Sequence, residues 1–105
     1  MDIRFYKPTV ADILKMQDIV REEVDKGKIL LRTADEMATT IRYYTVVEVD
    51  GKMAGFTATH IHSPRLAEVR SLVVGKDFRG LKLGRQLVES CIKEAKEYGI
   101  EQLLS

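Results

Sequence analysis

The 105-residue chain holds one cysteine, two prolines and no tryptophan, and aromatic residues make up only 7% of it. A lone thiol, Cys91, closes no internal disulfide and cannot furnish a four-cysteine zinc site. Two histidines beside it are too few for the usual structural metal sites, so no metal is expected. No apolar run approaches the roughly 20 residues of a membrane-spanning helix, so no membrane partner is expected. The N-terminal MDIRFYKPTV has no apolar core of a secretory signal and meets Pro8 at once, which points to a cytoplasmic protein. An excess of one charge is missing as well: 17 Lys and Arg stand against 16 Asp and Glu. General nucleic-acid binders carry a strong basic excess, so no nucleic-acid partner is expected either.

What is present is the balance of a globular domain, 45% hydrophobic and 31% charged. The length suffices for one core and not for two. No repeat, low-complexity stretch or Pro/Gly/Ser linker divides it, so residues 1–105 read as a single domain. The β-branched and aromatic run at residues 3–6 predicts a strand that Pro8 stops. Thr9 offers an N-cap with Asp12 as capping-box partner, and Ile13, Met16, Val20 and Val24 recur at helical spacing over about 10–25, with Gly27 suited to the C-terminal cap. Thr33-Ala34-Asp35-Glu36 is a second capping box, and Met37 and Ile41 give a short helix its apolar stripe. Residues 44–49 are β-rich, Asp50-Gly51 signals a two-residue hairpin, and a partner strand returns from Lys52 to about Ile61. After a turn at Ser63-Pro64-Arg65, residues 66–74 form a strand that is mostly apolar on both faces, as a central strand tends to be. A loop at 75–80 leads into a helix over about 82–98 with Leu83, Leu87, Val88, Cys91, Ile92 and Ala95 inward and Gly99 as its cap. A further strand begins at Ile100. The order β-α-α-β-β-β-α-β belongs to the α/β class, and its last βαβ unit should be parallel.

Chemistry concentrates where the strand Leu72-Val73-Val74 runs through a basic, glycine-containing loop into a helix. The first turn of a helix leaves backbone N–H groups unpaired and carries partial positive charge. Gly80 and Gly84 allow close approach of a ligand, and Arg79, Lys82 and Arg85 add charge, so the segment reads as a phosphate or pyrophosphate site. Neither the Walker loop nor the dinucleotide fingerprint is present.

The stretch Arg79-Gly80-Leu81-Lys82-Leu83-Gly84 resembles motif A of the GNAT superfamily of acetyl-CoA-dependent N-acyltransferases, R/Q-x-x-G-x-G/A. The order of elements is similar too, up to the start of the fifth strand, so the resemblance covers the whole chain. Lys82 stands where the middle glycine is usual, at a modest cost if that residue is already helical. A narrower resemblance runs from His60 to Val74, HIHSPRLAEVRSLVV, which is similar to H-x-x-S-P-x-L-A-E-I-R-S-L-A-V of short bacterial N-acetylglutamate synthase-like enzymes. Gly27-Lys28-Ile29-Leu30-Leu31-Arg32-Thr33 resembles that group's G-L-L-L-P-R-[ST], with Leu31 in place of Pro.

The resemblance implies a GNAT-like acyl-CoA N-acyltransferase fold with a mixed central sheet, acetyl-CoA as co-substrate, and a small-molecule amine as acceptor, glutamate or a related amino acid first. Backbone amides of Arg79, Gly80, Leu81, Lys82, Leu83, Gly84 and Arg85 would then hold the pyrophosphate. Backbone groups of Leu72, Val73 and Val74 would pair with the pantetheine arm, a contact that only the family implies. The amine must lose a proton before it attacks the thioester. Glu68 is the candidate base, on one strand face with Arg70 and Leu72 by period-two alternation; its other reading is an ion pair with Arg70 or Arg65. Arg32 and Arg70 are candidate clamps for an acceptor carboxylate, since guanidinium matches carboxylate bidentately; the other reading of Arg32 is a solvated linker residue. His60 and His62 share a strand face, and either is an alternative base or a strand-end hydrogen-bonding residue. Cys91, Met37 and Met53 read as core residues, and Arg21-Glu22-Glu23 and Lys93-Glu94 as solvated helix faces.

A full GNAT domain continues past the fifth strand, so the resemblance also implies a domain lacking its C-terminal portion, including the tyrosine that commonly protonates the leaving thiolate. An exposed strand edge would then favour a homodimer or other self-association, and catalysis would be weak or absent. Two other functions fit the same sequence: a non-catalytic CoA-binding module that works through a partner chain, and acetylation of peptide N-termini.

Overall fold

The turn and cap signals at Thr9, Thr33, Asp50-Gly51 and Gly99 mark where elements start or stop. The computed structural model describes residues 1–25 and 32–104; Gly27, the 27–31 part of the narrower resemblance and the Val24 side chain lie outside the described residues. Thr9 closes the expected capping box with Asp12, although the first turn, Val10–Asp12, is a 3₁₀ turn before helix α1, Ile13–Asp25. Thr33 accepts from the Glu36 amide and Glu36 returns the bond, opening α2, Ala34–Thr39. Ile41 falls beyond α2 in a second 3₁₀ turn, Ile41–Tyr43, and still packs on the core.

The strands are β1 (Ile3–Tyr6), β2 (Tyr44–Val49), β3 (Lys52–Ser63), β4 (Leu66–Val74) and β5 (Gln102–Leu104). They lie in the order β1-β2-β3-β4-β5, antiparallel through β4, with β5 parallel to β4 across the helix α3, Leu83–Glu97. The sheet is therefore mixed, as the resemblance implied. Asp50 and Gly51 both take positive φ, which a type I′ hairpin demands, and set the β2–β3 register. β3 runs two residues past the expected end at Ile61. At the end of α3, Gly99 at φ +80° bonds the Lys96 carbonyl and Ile100 bonds that of Ala95 at 2.8 Å, the Schellman pattern that turns the chain into β5.

The helices cover the sheet on both faces. Ile13, Met16, Val20 and Met37 pack with Tyr44, Val46, Phe56, Ala58 and Val73 on the α1/α2 side. Leu83 and Leu87 pack with Val47, Val49 and Ala54 on the α3 side, where Ala95 and Ile100 also meet Ala67. Fully burying a side chain such as Met16 or Leu87 stabilises the fold by about 2 kcal/mol. The inward stripe of α3 is narrower than expected. Leu83, Leu87, Cys91 and Ala95 are buried, but Val88 is half-buried and Ile92 is exposed, because a strict four-residue spacing already fills the contact. Gly55 is required where β3 and β4 meet: a Cβ there would stand 2.5 Å from the Val73 carbonyl oxygen.

The largest departure from simple alternation lies in β4. Phe56 faces Val73 and Ala58 faces Arg70, so Ser71 and Leu72 together oppose Thr57 alone. This is a β-bulge, and Ser71 takes φ +54° to make it. The buried Thr57 hydroxyl donates to the Arg70 carbonyl at 3.1 Å, and Cys91 Sγ lies 3.8 Å from that hydroxyl. One extra residue reverses the phase of everything after it. Leu72 therefore does not share a face with Glu68 and Arg70; Val73 does, and Leu72 is exposed.

Candidate functional site

The bulge separates two regions that the sequence singled out. On its C-terminal side β4 leads through the 3₁₀ turn Lys76–Phe78 into the loop 79–82 and helix α3. Phe78 and Leu81 pack against the α3-side core, which pins the loop by its side chains. Gly80 sits at φ +89° with open space where a Cβ would be. Lys82, expected to be helical, is instead the N-cap of α3 in the left-handed region, at φ 62° and ψ 26°. That conformation explains why a glycine is usual there, since a side chain in it costs roughly 1–2 kcal/mol. The Lys82 side chain does not cap this helix, and the amides of its first turn have no intrahelical acceptor. A Cβ at Gly84 would meet only Val74 Cγ2, at 3.9 Å, so the fold itself does not require glycine there. Arg85 pairs with Glu89 at 3.3 Å along the exposed face of α3.

On the other side of the bulge a pocket of about 200 Å³ opens between α2, the turn before β2, and the β3–β4 pair. Arg32, His60 and Arg70 all line it, together with Glu36, Tyr43 and Ser71. Three of the four acceptor-side residues expected from the sequence thus converge on one cavity. The fourth, Glu68, faces His60 across the β3–β4 ladder but is not among the lining residues. Its Oε1 accepts from His62 Nε2 at 2.8 Å and from Arg70 Nε at 3.0 Å. Of its two sequence readings, the ion pair with Arg70 is the one visible in the geometry.

These contacts set the local charge. The bonds from His62 and then Arg70 hold the Glu68 carboxyl below the usual carboxylate range, so it is ionised near neutrality. Partial burial, followed by the nearby Arg70 and His62, pushes His60 below the ordinary histidine value, so its imidazole is neutral at pH 7. The Thr33 amide, through the capping box, lowers Glu36 in the same way as His62 lowers Glu68.

Several residues that shape this region carried no obvious signal. Gln17, on the inner face of α1, donates from Nε2 to the Arg32 carbonyl at 3.0 Å and ties the pocket rim to the core. A lone amide within an apolar helical stripe was the available clue. Tyr43 packs edge-on against His60, with ring centroids 5.1 Å apart. Ser71 and Thr57 build the bulge, which alternation cannot foresee.

The sequence model of the Acetyltransferase (GNAT) family matches residues 10–105. The chain belongs to the GNAT acetyltransferase family. It is 29% identical over 96 residues to the amino-acid acetyltransferase of Pasteurella multocida, covering 90% of this chain and 22% of that protein. It is 30% identical over 94 residues to an uncharacterized N-acetyltransferase of Chlorobaculum tepidum, covering 90% of this chain and 61% of that one. The chain thus spans about a fifth of the first relative's length and under two thirds of the second's. Among solved structures, N-acetylglutamate synthase from Neisseria gonorrhoeae, complexed with coenzyme A and N-acetyl-glutamate, superposes with a TM-score of 0.90 at 21% identity, covering 98% of this chain and 24% of that one. At that identity the superposition establishes the GNAT fold. Within it, the left-handed Lys82 stands where this chain departs from the motif it resembles.

Proposed function

We propose that this chain carries the site of an enzyme that transfers the acetyl group of acetyl-CoA to the amine of a small molecule, the α-amino group of glutamate or a related amino acid. The observation that carries the reading is the meeting of Arg32, Arg70 and His60 in one pocket at the β4 bulge. Two guanidiniums suit an acceptor with two carboxylates, and each charge-assisted contact contributes about 2 kcal/mol of binding. The residues after the bulge support acetyl-CoA as the donor. The first-turn amides of α3, which the Lys82 side chain does not cap, fit a pyrophosphate. β5 pairs only with Leu66, Ala67 and Glu68, so among the described residues no strand lies on that side of Leu72, Val73 and Val74. An extended pantetheine arm can pair there as an added strand.

The chemistry follows from this placement. The arginines hold the acceptor by its carboxylates, which leaves its amine directed toward the bulge. A base takes one proton from the ammonium, the amine attacks the thioester carbonyl, the C–N bond forms and the C–S bond breaks, and the CoA thiolate leaves with the amine's second proton as the free thiol. Cys91, the one thiol, is buried against Thr57 and does not line the pocket, so transfer runs directly between the two substrates.

Thermal melting under an acetyl-CoA titration tests the donor, followed by thiol-release assays with glutamate, aspartate, glutamine and a simple alkylamine. A ligand at 100 times its dissociation constant adds about 2.7 kcal/mol of stability, a shift of several degrees in a domain of this size. The expected results are a saturable shift and a preference for glutamate. Absence of a shift, or faster turnover of the alkylamine than of any amino acid, would overturn the reading.

A further inference from the structure

A strand that gains one residue must rearrange its bonds to the neighbouring strand, and in β4 the rearrangement is held from β3. Thr57 is the residue of β3 that faces the bulge, and it is fully buried. Its neighbours Phe56 and Ala58 belong to the α1/α2-side core, and Ala58 also lines the pocket. By alternation the Thr57 side chain lies on the other face of the sheet, where Cys91 of α3 meets it. Thr57 therefore does not line the pocket. We propose that Thr57 is a positioning residue for acetyl transfer: from the face opposite the pocket, its hydroxyl holds the Arg70–Ser71 peptide and so fixes the bulge that sets the two substrates against each other. The assignment rests on the acetyltransferase reading above.

The bond itself is the first argument. A threonine hydroxyl carries one proton, and Thr57 gives it to the Arg70 carbonyl at 3.1 Å. The same oxygen accepts from Cys91 Sγ at 3.8 Å, so the hydroxyl is oriented by α3, the helix whose first turn fits the pyrophosphate. A valine would fill nearly the same space and take that donor away from the carbonyl.

The second argument is which peptide is held. The Arg70 carbonyl and the Ser71 amide belong to one planar trans unit and point in opposite directions. Thr57 draws the carbonyl toward β3. The Ser71 N–H is thus turned away from β3, to the side of β4 on which β5 pairs only as far as Glu68. Ser71 itself stands at φ +54°, a conformation that favours glycine and persists only where its surroundings hold it. The third argument is position. Arg70 and Ser71 line the pocket, and Leu72, Val73 and Val74 follow directly as the edge open to the pantetheine arm. A small shift of the bulge would misalign amine and thioester while every group that binds either substrate is still present. The signature of such a shift is a loss in kcat with binding retained.

The test compares Thr57→Val, which loses the donor, with Thr57→Ser, which keeps it. For each, kcat, the acceptor's KM and the calorimetric dissociation constant of acetyl-CoA are measured well below the melting temperature. Thr57→Val should lose about tenfold or more in kcat, with both binding constants within about threefold of wild type. Thr57→Ser should recover kcat to within about threefold. Val49→Ala is the stability control, a core truncation at the far end of β2 where Val49 pairs with Lys52. It should lower the melting temperature at least as much as Thr57→Val and leave kcat within about twofold of wild type. If the valine variant does not fold, Thr57→Ala against Thr57→Ser makes the same comparison. A Thr57→Val enzyme within about twofold of wild-type kcat would overturn the assignment. So would a serine variant as slow as the valine one, which would give the role to the methyl group. A Val49→Ala enzyme that loses kcat in step with its melting temperature would overturn it too, by making the loss one of stability alone. A wild type that binds no acetyl-CoA and acetylates no amino acid would instead remove the functional reading, and this assignment with it.

Discussion

The loop at residues 79–85 and the pocket beside His60 flank one bulge in β4, yet they are made of different material. The loop presents backbone: the first-turn amides of α3, a glycine at φ +89°, and a lysine in the left-handed region. The pocket presents side chains: two guanidiniums and an imidazole brought from three separate places in the chain. A backbone site depends on conformation and tolerates exchange of most side chains. A side-chain site fails when a single group is removed, even if the backbone never moves. The two halves should therefore respond to opposite kinds of substitution.

The largest effect expected is at Arg70. Removal of its guanidinium by Arg70→Ala takes away one charge-assisted contact of about 2 kcal/mol, so the acceptor's KM should rise roughly 30-fold. The dissociation constant of acetyl-CoA should stay within twofold. Arg70→Lys keeps the charge and loses the fork, so it should recover only part of the loss. Steady-state kinetics with the acceptor varied, and calorimetry with acetyl-CoA, read the two halves separately. Equal losses in both would mean that pocket and loop are one unit coupled through the bulge, and the contrast would fall.

The converse substitution is Gly84→Ala. A Cβ there meets only Val74 Cγ2 at 3.9 Å, so the helix should gain the ordinary alanine advantage of about 0.5–1 kcal/mol. If a ligand's phosphates approach the backbone at this turn, the same methyl should weaken acetyl-CoA binding about tenfold, or 1.4 kcal/mol, while the acceptor's KM is untouched. A higher melting temperature together with weaker acetyl-CoA binding is the outcome that identifies a backbone site. A higher melting temperature with unchanged binding would place the phosphates elsewhere.

The same division explains what could be read from the sequence. Caps, hairpin and helix ends were legible because each rests on local chemistry: Thr9 and Thr33 with their acidic partners, Asp50-Gly51 with positive φ, Gly99 with its Schellman bonds. The loop was read as an anion site from the same kind of local chemistry, and the family resemblance sharpened that expectation. The pocket was legible only as a list of residues, because Arg32, His60 and Arg70 meet through strand order and register. What was misread shares one cause. Period-two counting put Leu72 beside Arg70, and helical counting put Ile92 on the inward stripe and Lys82 inside the helix. The bulge at Ser71, the narrow contact of α3 and the left-handed cap are set by packing and by the backbone, outside what residue spacing records.

Lys82 gives the smallest and most selective test. It joins two possible contributions to the loop, a left-handed backbone and a positive charge, and Lys82→Gly separates them. Relief of the left-handed strain, about 1–2 kcal/mol, is partly offset by the greater chain entropy of glycine, about 0.5–1 kcal/mol. A net gain of about 0.5 kcal/mol, a few degrees in melting temperature, is expected. If the loop binds through its backbone, acetyl-CoA affinity in 0.3 M salt should match the wild type within threefold, because exposed charges are largely screened there. At low salt the lost charge should cost more, and the gap between the two salt conditions measures what the lysine adds. A tenfold loss that persists at high salt would instead make Lys82 a direct phosphate ligand, and the loop would then resemble the pocket in depending on a side chain.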